Sequence, residues 1–105
     1  MKGIYYDAMG NLIGIETSNE DKIRSIANHY GHKQINKAVE ELIELAEVLV
    51  KDYNKGSVDI YSLYEEIADV EIMLAQIKIL YDIDQEELRE MINRKLKRTI
   101  RRMAE

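Results

Sequence analysis

The chain has 105 residues, enough for one domain and too few for two. It has no cysteine, which excludes a disulfide scaffold, a Cys-ligated zinc site and thiol catalysis, and its 46% apolar and 33% charged residues exclude a disordered or membrane-embedded chain. Fifteen bases against twenty acids leave a net charge of −5, no apolar run reaches the ~18 residues of a membrane span, and no apolar signal segment follows Met1; the expectation is a cytoplasmic protein that binds neither nucleic acid nor membrane.

Residues 1–17 differ from the rest. Gly3, Gly10 and Gly14 flank the short apolar runs Gly-Ile-Tyr-Tyr and Leu-Ile-Gly-Ile around Ala8-Met9-Gly10-Asn11, which predicts a β-hairpin or an extended arm. The remainder, 18–105, reads as one all-α domain of four helices. Ser18 with Asp21 three residues on resembles a capping box and opens the first helix, which carries Ile23, Ile26, Ala27 and Tyr30 to Gly31. The second runs from about Lys33 to Asn54 and stops before Gly56. Asp59 is the N-cap of a third helix reaching about Tyr81, and Asp84 precedes a fourth that runs towards Met103. Short connections predict that consecutive helices pack antiparallel in a four-helix bundle.

Charge is divided along this chain. Residues 40–71 carry ten acids against two lysines, whereas residues 94–105 carry Arg94, Lys95, Lys97, Arg98, Arg101 and Arg102 against Glu105. Two solvated helix faces account for such a division as well as a site that needs both signs.

Spacing refines the picture. On the second helix Ile35, Val39, Leu42, Ala46, Leu49 and Tyr53 form an apolar seam widened by Ala38, Leu45 and Val50, with Gln34, Lys37, Glu41 and Glu44 in a polar line beside it. Lys37 and Glu41 are four apart and suit a surface ion pair. The third helix is apolar almost all round, with Leu63, Ile67, Val70, Leu74 and Ile77 on one side and Ala68, Ile72, Ala75 and Ile79 on the other. A helix of that kind is buried on most sides, within a bundle or between subunits. Glu66 and Asp69 stand in line with Met73 on it, so two carboxylates one turn apart face desolvation and mutual repulsion. Salt bridges or a bound cation are the remedies. Glu41-x-x-Glu44 and Glu66-x-x-Asp69 each project from one helix face, and four hard anionic oxygens suit Mg²⁺ or Mn²⁺. Neither His29 nor His32 lies three residues after a Glu, as a di-iron bundle requires. On the fourth helix Leu88, Ile92, Leu96, Thr99 and Met103 form the seam, flanked by Met91, Lys95, Arg98 and Arg102.

The motif Glu40-Glu41-Leu42-Ile43-Glu44, followed after 21 residues by Glu66-Ile67-Ala68-Asp69, resembles the E-E-x-x-E … E-x-x-D signature of MazG-like all-α nucleoside triphosphate pyrophosphohydrolases. His29-Tyr30-Gly31, Gln34-x-x-Lys37 and the run Glu65–Leu74 are similar to small stand-alone phage and Gram-positive members. The likeness covers roughly residues 23–102. It implies a helical bundle that dimerises or tetramerises and hydrolyses an NTP or dNTP to the monophosphate and pyrophosphate. By position it implies Glu41, Glu44, Glu66 and Asp69 as catalytic Mg²⁺ ligands, and Lys95, Arg98 and Lys37 as phosphate-binding residues. Glu40 faces away from the other four. A non-catalytic helical oligomer or regulatory nucleotide-binding module is the competing class.

Two departures from the family pattern stand out. Members acting on dUTP or dCTP place tryptophans around the base, and this chain has none. Tyr30, Tyr53, Tyr61 and Tyr64 are the stacking candidates, with core packing as the alternative, and His29 and His32 suit capping or packing. The Lys-x-Gly-Glu-Glu start of the related phosphoribosyl-ATP pyrophosphohydrolases is absent.

Overall fold

A computed structural model describes residues 4–6, 12–15, 18–56 and 59–105. Helices dominate: α1 (Asn19–Tyr30), α2 (Gln34–Lys55), α3 (Ile60–Leu80) and α4 (Gln85–Met103), with a 3₁₀ turn at Gly31–Lys33 joining α1 to α2. The chain is all-α in class. Within residues 1–17, Ile4–Tyr6 (β1) and Leu12–Ile15 (β2) pair antiparallel, Ile4 opposite Ile15 and Tyr5 opposite Gly14, with a register shift before Tyr6. Residues 7–11, where the sequence places a turn, lie outside the described residues. Among the described residues, no helix is long and apolar enough to cross a membrane.

Local chemistry sets the helix ends. Ser18 Oγ accepts the Asp21 N–H, Asp59 accepts from Tyr61, and Asp84 accepts from both Glu86 and Glu87, satisfying amides that have no partner within their helices. Gly56 ends α2 at φ 72°, ψ 13°, a left-handed conformation that a side chain would strain. The end of α3 has no glycine. Asp82 takes the left-handed position at φ 52°, its N–H donating to Ile79 O while the Ile83 N–H donates to Lys78 O. This is a Schellman closure with aspartate in the glycine position.

Packing departs from the expected four-helix bundle. α3 is the central element, with α2 against one side and α1 against another, but α4 has no comparable contact with any helix. The chain measures 67 × 36 × 27 Å with a radius of gyration of 19.0 Å; a compact chain of this length would have one of ~13 Å. After the Asp82 turn, α4 makes no comparable contact with α2. The anticipated antiparallel return of the fourth helix therefore does not occur within one chain.

The orientation of α2 is also unlike the sequence expectation. Its buried positions are Ala38, from the widened margin of the apolar seam, and Glu41, while the centre of the seam is exposed. Val39, Leu42, Ile43, Leu49 and Val50 are all exposed, and Tyr53 is 90% so. The inward face carries Gln34 and Glu41 of the polar line with Ala38 between them, and Ile35, Leu45 and Val48 half-buried along it. One observation accounts for this: Gln34 donates from Nε2 to Gln76 Oε1 at 2.9 Å across the α2–α3 contact, and Gln76 is only 2% exposed. A buried amide left unpaired costs ~1–3 kcal/mol, so the pair favours the rotation that satisfies it.

Candidate metal centre

Four residues of the polar line now face α3 or border it. Glu41 lies nearest the middle of the contact and is 6% exposed, whereas sequence spacing placed it at the edge of the core. On α3, Glu66 is half-buried and Asp69 sits at the exposed rim. The three approach closely: one carboxylate oxygen from each of Glu41, Glu66 and Asp69 lies within 4.8 Å of the others. Opposite ligands at ~2.1 Å from Mg²⁺ span ~4.2 Å, so small rotamer adjustments would close this set on a hard cation.

The electrostatics are those of crowded acids. Glu41 Oε2 and Glu66 Oε2 are buried with no hydrogen-bond partner. Loss of water raises the Glu66 carboxyl above the ordinary range, and the charges of Asp69 and Glu41 add to that. Asp69 is raised for the same reasons, desolvation first and Glu41 second. Glu44 is raised chiefly by the charge of Glu41 beside it. Glu41 alone moves down, because the Lys37 ammonium hydrogen-bonds it. Lys37 Nζ lies 3.0 Å from Glu41 Oε1 and 4.0 Å from Glu40. Two orphaned, buried, hard oxygen donors in one small acidic group could hold a divalent cation such as Mg²⁺ or Mn²⁺, and among the described residues no protein partner reaches them.

The structure thus brings together Glu41, Glu66, Asp69 and Lys37. Glu44 joins them electrostatically but stays exposed and outside the trio. Lys95 and Arg98 do not join. They line a groove formed by α4 alone, with Met91, Arg94, Lys97 and Arg101, and among the described residues neither pairs with an acid. The expectation that these bases border the carboxylates is not met within one chain, because α4 leaves the bundle.

The aromatic candidates are placed differently from a core. Tyr30, Tyr53, Tyr61 and Tyr64 are all exposed, so core packing within the chain is not their role. Tyr61 and Tyr64 meet edge-on, with ring centroids 6.2 Å apart. His29 packs edge-on against Tyr30 and His32 against Tyr81, in keeping with packing roles. Gln76 was not apparent as a site-framing residue from sequence. The signal was present, since Glu66, Asp69, Met73 and Gln76 recur at spacings of three and four along one line of α3.

No family model matches the chain, and no curated protein or solved structure is detectably similar to it.

Proposed function

We propose that the chain is a Mg²⁺-dependent nucleoside triphosphate pyrophosphohydrolase, of the MazG-like kind its acidic signature resembles. The observation that supports this reading most is the convergence of Glu41, Glu66 and Asp69 from two helices, with two of their oxygens buried and unpartnered. A divalent cation held there supplies charge neutralisation for phosphates and lowers the pKa of water. Glu44, beside Glu41 but outside the trio, is assigned the proton of the water that attacks the α-phosphorus. The bond to the β-phosphate oxygen breaks, and pyrophosphate leaves.

The reading includes self-association. Apolar side chains on α2 and α4 are open to solvent in the single chain, among them Leu42, Ile43, Val50, Ile92, Leu96 and Ile100. So many exposed apolar side chains on one short chain suit an interaction face, and Ile72 on α3 is exposed as well. A dimer or tetramer would cover these faces and return the phosphate-binding bases Lys95 and Arg98 to the neighbourhood of the acids.

The test is a panel of NTPs and dNTPs with Mg²⁺ or Mn²⁺, assayed for pyrophosphate. Pyrophosphate with the monophosphate is the expected product pair. Orthophosphate release would mean that a different bond is cut. Background turnover with every substrate would favour the non-catalytic helical oligomer.

A further inference from the structure

The cation already beside Glu41 is part of the chain. Lys37 sits one turn before Glu41 on α2, and its Nζ is 3.0 Å from Glu41 Oε1. Its side chain is about half exposed, with 53% of its surface open, so the ammonium reaches the group from the water side on a flexible stem. Among the described residues no other base pairs with Glu41, Glu44, Glu66 or Asp69. Glu41 is more than nine-tenths buried and keeps a second oxygen, Oε2, without a partner. One oxygen of this carboxylate is therefore matched by Lys37 while the other is left for a different cation.

We infer that Lys37 is a tethered counter-ion which gives up Glu41 to an incoming divalent cation and then turns to the anionic phosphates of a substrate bound at the same place. The inference rests on the metal-centre reading above and deepens it. A dication and an ammonium at one carboxylate repel each other, so binding of the metal weakens the ion pair that now holds Lys37. A lysine is suited to the exchange. Its compact charge on four rotatable carbons moves by rotamer change, whereas an arginine fork would hold a carboxylate in two bonds. Released, the ammonium stays at the rim of the group. Among the described residues it is the base that pairs with this acidic group, while Lys95 and Arg98 line a groove of α4 alone.

The two halves of this exchange pull in opposite directions, which separates them from a purely structural ion pair. Mn²⁺ binding is measured by electron paramagnetic resonance in wild type, Lys37→Met and Lys37→Gln; pyrophosphate binding is then measured by calorimetry on the Mn²⁺-loaded proteins. Both variants are expected to bind Mn²⁺ roughly tenfold more tightly and, once loaded, to bind pyrophosphate roughly tenfold more weakly. In wild type, the Lys37 side-chain resonances are expected to shift on addition of Mg²⁺. Mn²⁺ affinity that ignores or falls with the substitutions, unchanged pyrophosphate affinity, or a Lys37 resonance unmoved by Mg²⁺ overturns the exchange while leaving the metal centre standing. Failure of wild type and variants alike to bind Mn²⁺ overturns the metal centre, and the exchange with it.

Discussion

Gln34 and Gln76 hold the register of the candidate site. Glu41 lies seven residues beyond Gln34 on α2, and Asp69 lies seven before Gln76 on the antiparallel α3. Seven residues are about 10 Å along either helix, so the amide hydrogen bond at one level places Glu41 opposite Asp69 at the next. Gln76 is also joined to Met73 Sδ at 3.4 Å, which leaves its amide with a partner on each side. Gln76→Ala is expected to destabilise the protein by ~2 kcal/mol, from the lost bond and the cavity together. Urea denaturation checks this. The same variant is expected to weaken Mn²⁺ binding without removing a ligand.

The carboxylates separate by the sign of their perturbation. Asp69 is raised by desolvation and by Glu41, so Asp69→Asn removes a charge the fold resists and should raise the metal-free melting temperature by a few degrees. Glu41 is lowered by Lys37, so Glu41→Gln forfeits that pair and should not stabilise comparably. Both are expected to lower turnover ~100-fold or more, the upper end of what losing even an outer-shell partner of a metal costs. Thermal scans in EDTA and pyrophosphate assays measure the two effects separately.

Glu44→Gln is expected to behave differently from either. Glu44 adjoins Glu41 but lies outside the trio, so its loss should reduce kcat with little change in Mn²⁺ affinity. Mn²⁺ affinity that falls as far as in Asp69→Asn would instead make Glu44 a ligand.

Metal-free stability should rise as the pH is lowered from 7 towards ~5. Glu44, Glu66 and Asp69 are raised in the fold. The contribution of such groups is fully present below their unfolded values and lost as pH rises through the folded ones. Glu41 acts in reverse, its share being lost as pH falls through its depressed value, so stability should turn down again below ~4. Saturating Mg²⁺ should raise the melting temperature at pH 7, and by less at pH 5, where protons compete for the same oxygens. A series of melting curves with EDTA or Mg²⁺ at each pH reads both trends. A flat EDTA series would mean the acids are not crowded.

Sedimentation should give a mass at least twice that of the 12.3 kDa chain. Ile72→Lys places a charge in the exposed apolar side of α3 and is expected to shift the protein towards monomer while leaving helix content unchanged. An associated, well-folded variant would move the interface to the α2 seam.

The starts of three helices and the stop of α2 were legible in the residues alone. Ser18, Asp59 and Asp84 cap through their own side chains, and Gly56 ends α2 through its missing Cβ; such chemistry acts within a few residues and needs no tertiary context. The stop of α3 was placed near Tyr81, where it falls, but the closing role of Asp82 is harder to read, because aspartate is only an occasional substitute for glycine in a left-handed position. The carboxylate pairs were legible too, since a spacing of three puts both members on one helix face whatever surrounds them.

Tertiary structure alone decided which face of α2 meets α3. Periodicity shows where the apolar residues of a helix lie, but not whether its own chain or another body covers them. Here the part-buried Gln34–Gln76 bond favours the edge of the seam, and Glu41 moves from the margin of the core into the contact with Ala38 while Val39 and Leu42 turn outward. The same limit applies to α4. Its stripe was evident in the sequence, yet whether α4 packs against α2 is a long-range outcome that no local pattern encodes, and here it does not.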